Sequence, residues 1–135
     1  MQPTAYLFFD GNCAEAMRFY EKTLGGKLQM MTYADVPEAA PPNVDRSKVM
    51  HARLELEDGA LMASDDASGA PYKGMSGFRV SIDCDSAADA HRLLDALAAG
   101  GKVFIPMAKT FWSEAFGMTA DRFGTPWMVG VRTKS

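Results

Sequence analysis

The sequence predicts an α+β fold built from two βαβββ modules of similar size, about residues 4–66 and 77–133, within a single domain of 135 residues. Three observations point there. The same order of apolar stretches and turns runs twice along the chain. Each half has a helical stretch that stops at the same tripeptide, Gly25-Gly26-Lys27 and Gly100-Gly101-Lys102. Several of the remaining segments alternate apolar and polar residues, the period of a half-buried strand. Identity between the halves is slight, so the repeat lies in the order of elements.

Tyr6 to Phe9 reads as a short aromatic strand ending at Asp10-Gly11. Asn12 followed by Glu15 has the spacing of a capping box, and predicts a helix with Cys13, Met17, Tyr20 and Leu24 on one stripe. Gly25-Gly26 ends that helix, and Lys27 to Tyr33 follows as a strand. Residues 35–48, DVPEAAPPNVDRSK, form a Pro-rich polar loop of unusual length. Val49 to Glu57 alternates, Asp58-Gly59 turns, and Ala60 to Ser64 returns as a hairpin partner. After DDASGAPYKGMSG the second module opens with Phe78 to Cys84. Ser86 and Asp89 then cap a helix whose stripe is Ala87, Ala90, Leu94 and Leu97. Lys102 to Met107, Phe111 to Ala120 and Pro126 to Val131 are read as three more strands.

Charge and composition exclude several function classes. A net charge of −3 with no basic run argues against nucleic acid or an anionic membrane as a partner. No apolar run approaches the ~18 residues of a membrane helix. Cys13 and Cys84 have neither CxxC nor zinc-ligand spacing and suit a reducing compartment. The opening MQPTAYLFFDGN lacks the basic region and long apolar stretch of a secretory leader, so a cytoplasmic protein is expected.

Alternation also assigns faces. In MHARLELE, residues 50–57, Met50, Ala52, Leu54 and Leu56 should meet the helix, leaving His51, Arg53, Glu55 and Glu57 on a second face. In FRVSIDC the apolar set is Phe78, Val80, Ile82 and Cys84, which leaves Arg79, Ser81 and Asp83 opposite. That second face is either a solvated sheet surface or, where the modules curve toward each other, the lining of a cleft able to hold a polar ligand.

The stretches YLFFDGNCAEAMRFYEKTLGGKL, MHARLELEDGALMASDD and TFWSEAFGMTADRFGTPWMVGV resemble the PhnB-like family of the glyoxalase/bleomycin-resistance/extradiol-dioxygenase (vicinal oxygen chelate) superfamily. The resemblance spans nearly the whole chain, with FDGN, FY..TLGG, ALM.SDD and DRFGTPWM its most specific parts. It implies a cupped mixed β-sheet with helices on its outer face, a cavity inside, and a homodimer. Metal-dependent members of the superfamily hold a divalent ion with His, Gln or Glu from the first strand of each module and from the last strand. Carried onto this chain, those positions fall at Ala5 or Tyr6, near Arg79, and at Met128, none of which is a usual ligand for a hard divalent ion. No cofactor is therefore expected at the usual positions, and a metal held elsewhere stays open.

His51 is the foremost titratable candidate, because imidazole changes charge near neutral pH and its strand face is otherwise polar. Around it, Arg53, Glu55, Arg79 and Ser81 are candidate ligand contacts, with Trp112 and Met128 as apolar wall. His91 reads as a surface residue. Cys13 reads as packing, although a helix first turn lowers a thiol pKa. Asp65-Asp66 are adjacent strand-end carboxylates that point to opposite faces. No nucleophile motif, phosphate loop or dinucleotide pattern appears, and no Gly-rich strand-helix turn supports S-adenosylmethionine binding. The leading expectation is a metal-free protein that binds a small molecule, as the bleomycin-resistance members do. Two alternatives stand: a lyase, isomerase or dioxygenase using a relocated metal or His51, and a dimeric module with no ligand.

Overall fold

The computed structural model describes residues 1–133, which fall into two compact units, Met1–Gly74 and a second beginning at Met75. In the first unit the order is β1 (Ala5–Phe9), α1 (Cys13–Leu24), β2 (Lys27–Thr32), β3 (Val49–Leu56) and β4 (Gly59–Asp65). In the second it is β5 (Val80–Cys84), α2 (Ala87–Ala98), β6 (Lys102–Ala108), β7 (Phe116–Ala120) and β8 (Pro126–Val131). The two four-stranded sheets have matching topology, β1-β4-β3-β2 and β5-β8-β7-β6. In each, the first strand runs parallel to the last and the other pairs are antiparallel. The fold is α+β, as the alternation and the repeat predict.

Each helix packs on one face of its own sheet, and the core follows from that. Leu7, Phe9, Met17, Tyr20, Ala52 and Leu54 are fully buried or nearly so in the first unit; Leu94, Leu97, Trp127 and Val129 are their counterparts in the second. Leu24 and Ala87, expected on the buried stripes, are half-buried at the helix ends.

The shared Gly-Gly-Lys has a steric cause in both halves. A Cβ on Gly26 would stand 2.3 Å from the Glu55 carbonyl oxygen, and one on Gly101 would stand 2.1 Å from that of Ala120. The strands entered there pair at those same places, Lys27 with Glu55 and Lys102 with Ala120. Backbone approaches backbone too closely for any side chain.

Three sequence expectations need correction. Asn12 precedes α1, but its side chain makes no capping hydrogen bond. Its role passes to Asp65 on β4, whose Oδ1 accepts from the Cys13 N–H at 2.9 Å. Ser86, by contrast, caps α2 as expected, accepting from the Asp89 N–H at 3.1 Å. Second, the strand expected from Phe111 begins only at Phe116. Ser113 explains the delay: its N–H bonds the Thr110 hydroxyl at 3.0 Å, closing a turn, and its Oγ accepts the Val131 N–H of β8 at 3.0 Å. A side chain thus fills the place of a strand partner. Third, Phe78 and Arg79 precede β5 instead of belonging to it. The long 35–48 loop is a loop as expected, closed at its base where the Tyr33 N–H donates to the Lys48 carbonyl and the Ala34 N–H to that of Arg46.

β6 is an edge strand and leaves Val103, Phe104 and Ile105 exposed. Its pairing with β7 shifts register between Val103 and Ile105 and again between Ile105 and Ala108.

The turn DRFGT between β7 and β8 is organised by one buried carboxylate. Asp121 Oδ1 accepts from the N–H groups of Phe123 and Thr125, at 2.9 and 3.0 Å, while Oδ2 accepts from Trp127 Nε1 at 2.8 Å. Gly124 takes φ +91°, a left-handed conformation natural to glycine, where the chain reverses. Replacing Asp121 with Ala strands three donors, two of them backbone, and should destabilise the protein by about 3 kcal/mol. Denaturant unfolding measures the loss. Of the two tryptophans, Trp127 is the buried one, and its emission should weaken or shift in the folded variant.

Candidate functional site

The sheet faces turned away from the helices carry the candidate residues, and strand register decides which of them meet. In the first unit, Arg53 pairs with Met62 on one side and Gln29 on the other, and Met62 pairs in turn with Tyr6. These four form one row across the sheet. The next row holds Phe8 opposite Ser64, and His51 opposite Met31. Parity therefore places Tyr6, Phe8, Met62, His51, Arg53 and Met31 on a single face.

Across this face Tyr6 reaches His51. Its hydroxyl lies 3.2 Å from His51 Nδ1, and the two rings are 5.7 Å apart between centroids. Phe8 backs Tyr6 at 5.1 Å. Arg53 Nε donates to Glu55 Oε2 at 2.7 Å, along the same strand. The arrangement is an imidazole and a guanidinium two residues apart on an apolar floor of aromatic and methionine side chains. Phe8 is 53% exposed and Met31 42%, more open apolar surface than a sheet face with no partner would carry by preference.

In the second unit, Arg79 reaches back over its sheet. One terminal nitrogen donates to the carbonyls of Thr119 and Trp127, at 3.3 and 3.4 Å, and the guanidinium lies 5.0 Å from the Phe104 ring centre. Ser81 is exposed and pairs with Met128, which pairs in turn with Met118. Arg79, Ser81 and Met128 thus share the second-unit face. Trp112 does not join them. It stands on the turn before β7, edge-on to Phe111 and Phe116, at the rim of a cleft of about 260 Å³ shared with Thr110, Ser113, Val131 and Arg132. The expectation that it starts a strand is overturned with the late start of β7.

The superfamily's metal positions resolve in the same way. Ala5 falls in step with Leu7 and Phe9, on the helix side, so the first-strand position that faces outward is Tyr6. Its phenol is engaged by His51, Arg79 is a cation committed to two carbonyls, and Met128 offers a thioether. None of these groups, taken singly, is a usual ligand for a hard divalent ion. Among the described residues, no three His, Cys, Asp or Glu side chains cluster closely enough to hold one. Asp65 is likewise occupied: Oδ1 takes the Cys13 N–H, and Oδ2 takes the Val49 N–H at 2.8 Å. Cys13 is packed, and burial, aided by the Asp65 charge, pushes its thiol up to about 12. The helix dipole, which would lower it, loses to desolvation. His91 is exposed on α2.

With that geometry in place, comparison with known proteins is decisive for kinship. The family model described as 3-demethylubiquinone-9 3-methyltransferase matches residues 2–130. The chain belongs to this PhnB-like family. It is 31% identical over 141 residues to Protein YjdN of Escherichia coli (strain K12), covering 97% of this chain and 95% of that protein. The crystal structure of protein PA1353 from Pseudomonas aeruginosa is 45% identical, covers 99% of both chains and superposes with a TM-score of 0.90. A putative 3-demethylubiquinone-9 3-methyltransferase, PhnB protein, from Bacillus cereus shares the fold at 20% identity, with TM-score 0.78 and coverage of 98% and 100%. So does a glyoxylase/bleomycin resistance protein/dioxygenase domain from Frankia sp. EAN1pec, at 14% identity, TM-score 0.66 and 98% coverage of both chains.

From the sequence, Tyr6 enters only as an alternative position for the superfamily's metal ligand and Phe8 not at all, although the alternation against Leu7 and Phe9 already puts both on the outward face. The bond from Tyr6 to His51 depends on β4 lying between β1 and β3, which no local pattern encodes.

Two outcomes follow for this family member. Met128 is half-buried on the open face, so Met128→Glu should fold with a loss below about 1.5 kcal/mol. Val129→Glu, its fully buried neighbour, should fail to fold. Thermal denaturation distinguishes them. Because its raised pKa keeps the Cys13 thiol protonated near neutrality, Cys13 should resist alkylation in the native protein and react only after unfolding. Mass spectrometry of alkylated peptides reads this directly.

Proposed function

We propose that this PhnB-like protein binds a small molecule on the His51 face of the first sheet and holds it without a resident metal, sequestering it rather than transforming it. The observation that carries the reading is the pairing of polar groups with bare apolar surface. His51 and Arg53 stand on a floor of Tyr6, Phe8, Met31 and Met62, the mixture expected where a ligand's polar end needs orienting and its body needs shelter. Glu55 steadies Arg53. Arg79, Ser81 and Met128 offer a similar mixture on the second-unit face, and Trp112 an aromatic wall at its own cleft. The working form is a homodimer in the cytoplasm; the family resemblance supports the first, and the free thiols of Cys13 and Cys84 the second. No helix among the described residues is long and apolar enough to cross a membrane.

A second reading is favoured by one specific contact. In the tautomer with Nδ1–H donating to the Tyr6 oxygen, Nε2 is left unprotonated, as a metal-free general base for a lyase or isomerase would need; the opposite tautomer serves binding alone.

The test combines metal analysis with ligand recovery. After incubation with Zn, Mn, Ni and Fe(II) and desalting, the protein should retain far less than one equivalent of any metal; a stoichiometric ion would overturn the metal-free reading. Small molecules captured from a metabolite extract should be released unchanged on denaturation, whereas a turned-over product would favour the enzyme. His51→Ala should abolish capture while costing no more than about 1 kcal/mol of stability, since the half-exposed ring makes one side-chain hydrogen bond.

A further inference from the structure

The contact between Tyr6 and His51 contains more information than proximity. A neutral imidazole accepts a hydrogen bond only through its unprotonated nitrogen, and the hydrogen bond at one ring nitrogen fixes where the proton sits. A phenol is a good donor and, with its lone pairs partly delocalised into the ring, a poorer acceptor. At 3.2 Å from Nδ1, the Tyr6 hydroxyl favours the arrangement in which O–H donates to Nδ1 and the imidazole proton resides on Nε2.

Seen from the ligand side, the consequence is a face that presents donors. Among the described residues no acceptor takes the Nε2–H of His51, and Glu55 engages the Nε of Arg53, leaving the two terminal guanidinium nitrogens. Those nitrogens carry further N–H donors and no acceptor. Around this pair stand Met31 opposite His51 and Gln29 opposite Arg53, with Phe8 and Met62 toward β1. Lys27, opposite Glu55 on β2, adds a second cation at the far side of that carboxylate. A ligand oxygen acceptor placed between His51 and Arg53 meets donors from both, while an ammonium there meets the same donors and has for a counter-charge only the Glu55 carboxylate, which Arg53 already neutralises.

We infer that Tyr6 is a positioning residue that holds His51 as an Nε2–H donor, so that His51 and Arg53 together select a small carboxylate with a short apolar or aromatic body. This rests on the proposed binding role of the same face. The carboxylate bridges the imidazole and guanidinium, and its body lies against Phe8 and Met62. Tyr6 acts through the ring it orients and does not itself meet the ligand's charged end.

The experiment has an arm that needs no ligand. In protein labelled with ¹⁵N-histidine, in mildly alkaline buffer, long-range ¹H–¹⁵N correlation reports which nitrogen of His51 is protonated. The expected result is the Nε2–H form, with Tyr6→Phe admitting more of the Nδ1–H form; a predominantly Nδ1–H ring in the native protein overturns the inference. The second arm titrates matched pairs, benzoate against benzylamine and butyrate against butylamine, and follows the His51 Nε2 and Arg53 side-chain resonances. Carboxylates should shift both, amines neither. Tyr6→Phe should weaken carboxylate binding roughly two- to tenfold, the range of one net hydrogen bond. Amine binding without carboxylate binding overturns the ligand class and leaves the binding role of the face intact. An Nε2–H ring that no probe perturbs overturns the ligand class while the tautomer stands, and capture from the metabolite extract then decides the binding role separately.

Discussion

Both oxygens of Asp65 are consumed by backbone, and the first unit depends on that. One holds the N–H that opens α1, the other the N–H that opens β3. Asp65 itself ends β4, beside Phe9 at the end of β1. One buried carboxylate thereby gathers the ends of three strands and the start of the helix. An anionic acceptor at a helix N-terminus also complements the helix dipole. Cys13 shows the cost of this arrangement: burial, aided by the Asp65 charge, holds its thiol protonated. Asp121 has a corresponding task in the second unit, although it sits in a hairpin turn rather than at a strand end. The two halves repeat their topology without repeating their fastening.

One helix per sheet covers one face per sheet. The covered faces exclude water almost completely, with Met17, Tyr20, Trp127 and Val129 at no measurable exposure. The other faces inherit whatever the alternate residues are. In the first unit these are aromatic and methionine side chains interspersed with His51 and Arg53, and in the second Met118 and Met128 beside Ser81 and Arg79. A purely solvated sheet would have little reason to carry Phe8 and Met31 outward. The same period-two geometry that builds the core therefore also composes the candidate ligand surface.

Much of the fold was legible in the sequence because it is encoded locally. The period of MHARLELE assigns its faces, Ser86 marks the start of α2, and the paired Gly-Gly-Lys marks two equivalent close approaches. The misreadings share a cause in distant partners. Asn12 and Glu15 have capping-box spacing, but a carboxylate more than fifty positions downstream takes the helix N-terminus. Phe111 to Ala115 look like strand, but Ser113 turns its hydroxyl onto β8 and displaces the ladder. The candidate face was legible in the same measure: that His51, Arg53 and Glu55 share it follows from strand parity, whereas Tyr6 reaches His51 only because a parallel pairing places β1 beside β4.

The edge strand β6 has a bearing on how the protein survives at high concentration. Val103, Phe104 and Ile105 are the kind of residues from which intermolecular sheets grow, and they stand on an unpaired border. Pro106 follows them and has no N–H to offer a neighbouring strand. The two register shifts make its pairing with β7 irregular, and Lys102 sets a charge at its start, its ammonium 5.2 Å from the Phe104 ring. A chain attempting to extend the sheet would meet a gap at Pro106. The irregularity of this strand is thus a safeguard against fibrous association, built into the border where the exposed apolar side chains would otherwise invite it.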